Sequence, residues 1–181
     1  MVGLLDDINQ ATTIAFKHAG DAIYLIGETT DSFNGSEIQK LQLGQISGQL
    51  FEFDDEAELA SQSLVRKAIA QNLLASAHDL SEGGMVVGLL ESSFAGDLSF
   101  DVITKQLDKY LFSETASRFI VSVPQTKVAD FEHIAGKQAT KIGSVTNESD
   151  VVIKTLTQTI TLSREEIQTV YQESISWQLQ G

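Results

Sequence analysis

Cysteine is absent from this chain, which excludes disulfides, thiolate nucleophiles and zinc–thiolate centres and suits a reducing cytoplasm. Proline occurs once, at Pro124, so glycine and polar turns must end most of the elements. Basic residues are scarce. The 12 Lys and Arg face 25 Asp and Glu, a formal net charge of −13, and a field of that sign speaks against a nucleic-acid partner. No apolar run approaches the ~20 residues that cross a bilayer, and no basic-then-apolar segment precedes the first element, so neither a membrane span nor a leader is expected. The phosphate loop G-x-x-x-x-G-K-[ST], the dinucleotide fingerprint G-x-G-x-x-G and the esterase elbow G-x-S-x-G are all missing, so a self-contained nucleotide hydrolase, dehydrogenase or serine esterase has no support.

What remains is an ordinary globular balance. The 181 residues, 42% apolar and 20% charged, suffice for one good core. Residues 21–27 form a short apolar run between Gly20 and Gly27, the pattern of a buried strand. Ser36 suits the cap of a short helix carrying Ile38 and Leu41. Asp54, Asp55 and Glu56 load the first turn of a helix expected to run to about residue 74, with Leu59, Leu64 and Ala68 on its apolar stripe. An apolar helix is predicted over 85–94, and a half-buried strand over 98–102. A short helix over 104–110 and a strand over 119–123 should follow. Then come a helix over 126–134, a strand over 140–145 and two short strands within 151–162. Ser163-Arg164-Glu165-Glu166 reads as a capping box, with Ile167, Val170, Tyr171 and Ile175 making one face of the last helix. The alternation predicts a single α/β (α+β) domain, a mixed β-sheet covered by helices.

Three polar turns could carry chemistry. In Ala75-Ser76-Ala77-His78-Asp79-Leu80-Ser81-Glu82-Gly83-Gly84-Met85, a strand stops at a polar glycine turn that opens an apolar helix. That arrangement brings backbone N–H groups and a helix dipole to an anion, and Asp79 on the same turn suits Mg²⁺ shared with a phosphate. The same residues also suit a strand end whose Asp79 caps the next helix. Phe112-Ser113-Glu114-Thr115-Ala116-Ser117-Arg118 adds hydroxyls and a guanidinium that can grip phosphate at two points, or a plain loop in which Glu114 pairs with Arg118. Phe33-Asn34-Gly35-Ser36-Glu37 is a third turn, or a routine helix cap. His18 and His133 sit in polar helical surroundings and are expected at the surface. His78 has no second His or Cys beside it for a metal triad.

These turns, in this order and together with Gly20-Asp21-Ala22-Ile23-Tyr24-Leu25-Ile26-Gly27-Glu28 and Val2-Gly3-Leu4-Leu5-Asp6-Asp7-Ile8, resemble the C-terminal end of one family. It is the phosphoribosylformylglycinamidine synthases, specifically the large subunit of the small, multi-subunit bacterial type, within the aminoimidazole-ribonucleotide-synthetase-like superfamily. The resemblance covers essentially the whole chain. It implies that residues 1–15 are the tail of a preceding N-terminal-type domain or a linker, and that 16–181 form the last C-terminal domain of an internally duplicated subunit. It also implies ATP and Mg²⁺ as cofactors and a cytoplasmic purine-synthesis ligase. In that reaction an amide oxygen is phosphorylated, and glutamine-derived ammonia then displaces phosphate. The implied partners are the N-terminal domains of the same subunit, a glutaminase subunit and a small accessory subunit. The family's catalytic His and most metal ligands belong to upstream segments, so the domain alone should be inactive. The counterpart of Asp79 in the other half of the duplication holds Mg²⁺, and the counterpart of Glu114-Thr115-Ala116 touches substrate. Here Ala116 lacks that family's amide, and Ser113 stands where glycine is favoured. The implied site is therefore an auxiliary nucleotide site, with Asp79 on the metal and Ser81, Glu82, Gly83, Gly84, Glu114, Thr115 and Arg118 around the phosphates. The alternatives are a ligand-free scaffold, or a domain of a related superfamily enzyme such as aminoimidazole ribonucleotide synthetase, selenophosphate synthetase or thiamine-monophosphate kinase.

Overall fold

Among the described residues, a seven-stranded mixed sheet organises the fold, with five α-helices around it. The computed structural model describes residues 7–8, 11–49 and 51–180, with side chains as far as Glu173. Residues 2–6 and the Ile175 side chain lie outside the described residues. In chain order the elements are β1 (Ala22–Ile26), α1 (Glu37–Leu43), α2 (Asp55–Ala70), β2 (Ser76–Asp79), α3 (Gly84–Gly96), β3 (Ser99–Ile103), β4 (Phe119–Val123), α4 (Val128–Ala135), β5 (Ala139–Thr146), β6 (Asp150–Lys154), β7 (Thr159–Ser163) and α5 (Arg164–Gln180). The strand order is β2-β4-β1-β5-β3-β6-β7, antiparallel throughout except for the parallel pair β3–β6.

Strand β1 is buried along its whole length because it runs through the middle of the sheet with core on both faces. Its side chains alternate between the two cores, as period-two geometry requires. Ile23 and Leu25 join Met85, Leu89, Phe100 and Val102 under α3, while Tyr24 and Ile26 join Leu64, Val65 and Phe131 under α2 and α4. Tyr24 stacks edge-on against Phe131 and donates its hydroxyl to Glu132 at 2.7 Å, which satisfies the one polar side-chain atom of this strand.

Local signals hold at the helix starts. Ser36 caps α1 by accepting from the Gln39 amide, and Asp54 caps α2 by accepting from Ala57 at 3.0 Å. Ser163 accepts from the Glu166 amide at the start of α5. Three expectations need correction. Helix α2 stops at Ala70 rather than 74, because Asn72 takes a left-handed conformation (φ 54°) and redirects the chain toward β2. Its buried stripe is Ser61, Leu64, Val65 and Ala68, whereas Leu59 is exposed. Residues 104–107 are not helical, since the Thr104 amide bonds the Lys154 carbonyl, and the helical turn is a 3-10 turn at Asp108–Phe112. That turn is clamped by Asp108, which accepts from Thr155, from Thr157 at 2.6 Å and from Gln158 at 2.7 Å.

Among the described residues, no helix is long and apolar enough to cross a membrane. Residues 13–16 pack onto the domain: Thr13 accepts from the Ala77 amide, and Phe16, almost wholly buried, donates its amide to Ser92 at the carbonyl.

Candidate functional site

Asp79 and Phe119 face each other in the β2–β4 ladder, so the turn after β2 and the loop before β4 emerge at the same end of the sheet. The loop after β1 joins them. The Glu114 amide donates to the Ser32 carbonyl at 3.1 Å, and the Ser113 hydroxyl donates to the Thr30 carbonyl at 2.7 Å. Thr115 Oγ1 accepts from the Thr30 amide at 3.0 Å. All three polar turns singled out in the sequence thus meet in one junction.

At its centre is a carboxylate. Glu114 Oε1 accepts from the Gly83 amide and from the Glu37 amide, both at 2.9 Å. These two donors stand at the starts of α3 and α1, where orphan N–H groups favour an anion. The anion in place is the chain's own. The Gly84 amide is also engaged, donating to the Ser81 carbonyl at 3.1 Å. Gly83 and Gly84 are both left-handed (φ 76° and 66°), and a Cβ on Gly84 would lie 2.4 Å from the Ser113 carbonyl oxygen. Only glycine lets the backbone of α3 approach this loop so closely.

Arg118 lies behind the junction, 1% exposed. Its Nε donates to the Thr115 carbonyl at 2.8 Å, Nη1 to Thr29 Oγ1 at 3.0 Å and Nη2 to the Ser113 carbonyl at 2.5 Å. Burial pushes the guanidinium down to about 10, against an upward pull from the Glu114 charge, and it remains charged at neutral pH. The expected Glu114–Arg118 ion pair does not form. The carboxylate goes to two amides and the guanidinium to two carbonyls and a hydroxyl. Asp79 does not cap α3 either, because Gly83 occupies the cap position without a side-chain bond.

The outward-facing residues are Asp79, with 73% of its side chain exposed, and exposed Ser81 and Glu82. Among the described residues no cluster of three or more His, Asp or Glu could enclose a metal. A lone exposed carboxylate still matches what Mg²⁺ takes from a protein when phosphates and waters fill its remaining positions.

Sequence reasoning missed the partners of His78. Its Nε2 lies 2.8 Å from Glu91 Oε2, and Glu91 Oε1 accepts the Tyr171 hydroxyl at 2.6 Å, which holds that phenol above its ordinary range. Glu91 is the only charged residue in α3, and a single carboxylate in an otherwise apolar helix was the available signal. His18 and His133 are exposed, as expected, but only His133 is helical; His18 lies in the bend before β1. Thr29 and Thr30 were also missed, since a pair of threonines after a strand carries no signal of its own.

Residues 18–155 match the family described as AIR synthase related protein, C-terminal domain. Over 179 residues the chain is 58% identical to phosphoribosylformylglycinamidine synthase subunit PurL of Leuconostoc mesenteroides, covering 99% of this chain and 24% of that protein. Among solved structures, Thermotoga maritima PurL complexed with FGAR has a TM-score of 0.75 at 17% identity, over 88% of this chain and 30% of that one. The T. maritima PurL complex with ATP gives 0.67 at 18% identity, over 87% and 27%. At these identities the two structures establish a shared fold. The chain spans 24% of the length of the curated relatives it matches.

Proposed function

Since this chain belongs to the AIR synthase related family, as its C-terminal domain, we propose that it is the last domain of a phosphoribosylformylglycinamidine synthase large subunit. The observation that carries this reading is the 58% identity to a PurL subunit along 99% of the chain. In this reading 1–15 end a preceding domain or linker, and 16–181 form the domain itself. The whole polypeptide is a cytoplasmic ATP-dependent C–N ligase of purine synthesis. It works with a glutaminase subunit and a small accessory subunit, and makes formylglycinamidine ribonucleotide from formylglycinamide ribonucleotide. The isolated domain is inactive.

The junction is read as an auxiliary nucleotide site. When bound, Mg²⁺ neutralises phosphate charge, and Asp79 would hold it, with Ser81 and Glu82 beside it. The fit is partial. Exposed Asp79 suits a metal shared with phosphate, whereas the Gly83 and Gly84 amides and Arg118 already have intramolecular partners. In this site Glu114, Thr115 and Arg118 act as positioning residues that fix the turn carrying Asp79. The occupied amides equally favour a second reading, a scaffold domain that binds nothing here.

Calorimetry with ADP and Mg²⁺ on this chain and on Asp79→Ala separates the two. Metal-dependent heat that disappears in the variant supports the auxiliary site, and no heat at millimolar ligand leaves the scaffold. The ligase assignment is tested by amidine formation. The full-length polypeptide with ammonia and ATP should turn over, and the 181-residue chain should not. Comparable turnover by the chain alone defeats the reading.

A further inference from the structure

The sheet splits between β5 and β3. The β3–β5 ladder ends at Val102↔Gly143, whereas β1 stays paired with β5 as far as Ile26↔Ala139. Beyond Val102 the tail of β3 follows β6 instead: the Thr104 amide bonds the Lys154 carbonyl at 2.8 Å, and the Leu156 amide bonds the Gln106 carbonyl at 3.1 Å. Residues 139–141 therefore have a ladder partner on one side only, and Ile142, at the register shift, has none. Contact stops abruptly at Gly143, where the strands are so close that a Cβ would lie 2.0 Å from the Asp101 carbonyl oxygen. The split opens a groove of about 910 Å³. Buried Leu25 and Ile142 line it together with Ile103, which is 56% exposed. Lys105 and Lys141 stand along it against a single carboxylate, Glu28.

This is a strand-shaped gap inside a sheet, with open main-chain groups on the β5 wall and an excess of positive charge in a chain of net charge −13. Unpaired strand edges bind extended segments through main-chain bonds, with alternate side chains giving selectivity. We infer that the groove receives a short extended segment in which acidic and apolar residues alternate, supplied by the part of the polypeptide outside these 181 residues. It adds as a strand beside β5, its acids facing Lys105 and Lys141 and its apolar side chains covering Ile103. The source follows from length. The chain spans 24% of its relatives, and a tethered segment acts at millimolar effective concentration, so modest contacts suffice. The inference rests on the reading that the chain is one domain of a longer ligase.

Amide hydrogen exchange tests it, comparing the 181-residue chain with the full-length polypeptide and using β1 and β4 amides as the folding control in both. The 140–142 amides that face away from β1 should exchange at least about tenfold more slowly in the full-length protein. The double variant Lys105→Glu, Lys141→Glu should return them to the rate of the isolated chain. Equal rates in the two proteins overturn the inference, as does slowing that survives charge reversal. Slowing that grows with the concentration of the isolated chain assigns the gap to a second copy, and slowing that requires an added subunit assigns it to a partner; either result overturns it too. Amidine formation is measured on the same full-length samples. A polypeptide that turns over with unprotected 140–142 amides defeats this inference alone, and one that protects them without turnover defeats the ligase reading.

Discussion

The three-turn junction and the split between β3 and β5 differ in what their backbone groups do. In the junction, amides that a sequence pattern would offer to an outside anion are occupied by Glu114, and the turn beneath is fastened by buried Arg118. In the split, an ordinary strand with no motif at all keeps one side unpaired. A glycine turn at a helix start is therefore a donor array whose availability depends on which acceptors the fold brings to it. Buried polar groups find partners wherever the chain can supply them. The available groups lie where two strands diverge.

The sharpest way to break this comparison is to loosen the junction. Arg118→Ala should have the largest effect, because it empties a buried site and strands the Ser113 and Thr115 carbonyls. A loss on the order of 3 kcal/mol in urea unfolding is expected. Arg118→Lys should recover little of it, since an ammonium cannot reach all three acceptors from one plane. Wild-type stability in either variant would mean that the junction is not fastened from behind. Next comes Gly84→Ala, which combines a left-handed backbone with a carbonyl in the path of the new methyl; about 2 kcal/mol or more is expected by the same measurement.

Glu114→Gln keeps an acceptor oxygen and removes the charge that two helix starts favour, and about 1 kcal/mol should be lost. If the junction is closed by this carboxylate, the Gly83 and Glu37 amides should exchange faster in the variant, while the 140–142 amides stay unchanged. Coupled changes in both places would show that the two regions are not independent. The smallest effect concerns the clamp at the 3-10 turn. Hydrogen bonds from Thr155 and Thr157 hold the Asp108 carboxyl below its ordinary value of 3.8. A depressed carboxyl stabilises the fold above its unfolded value, and this contribution disappears as pH falls through the lower folded value. The melting temperature of Asp108→Asn should therefore lie below wild type at neutral pH, with the gap closing below about pH 4. A gap that persists in acid would count against the clamp.

Legibility followed the range of the interactions. The strand at β1, the caps at Ser36 and Ser163, the acidic start of α2 and the apolar helix after Gly84 were readable because each depends on neighbours within about a turn. The end of α2 was misplaced because apolar residues continue past Asn72, and only the observed left-handed turn marks the stop. The three turns singled out meet in one junction, but the bonds inside it were not legible. Glu114 lies 31 residues from Gly83 and 77 from Glu37, so no local pattern pairs them. Glu91 and Tyr171, 80 residues apart, meet for the same reason.

The residue order alone determined an α/β domain with a buried strand near residues 21–27, its helix starts and the positions of three polar turns, because alternation, capping and glycine chemistry act over a few residues. The tertiary structure alone decided which carboxylate occupies those amides, which way Arg118 faces and where the sheet opens. Those outcomes depend on groups far apart in the chain competing for the same hydrogen-bond partners, and only the packed sheet determines which of them meet.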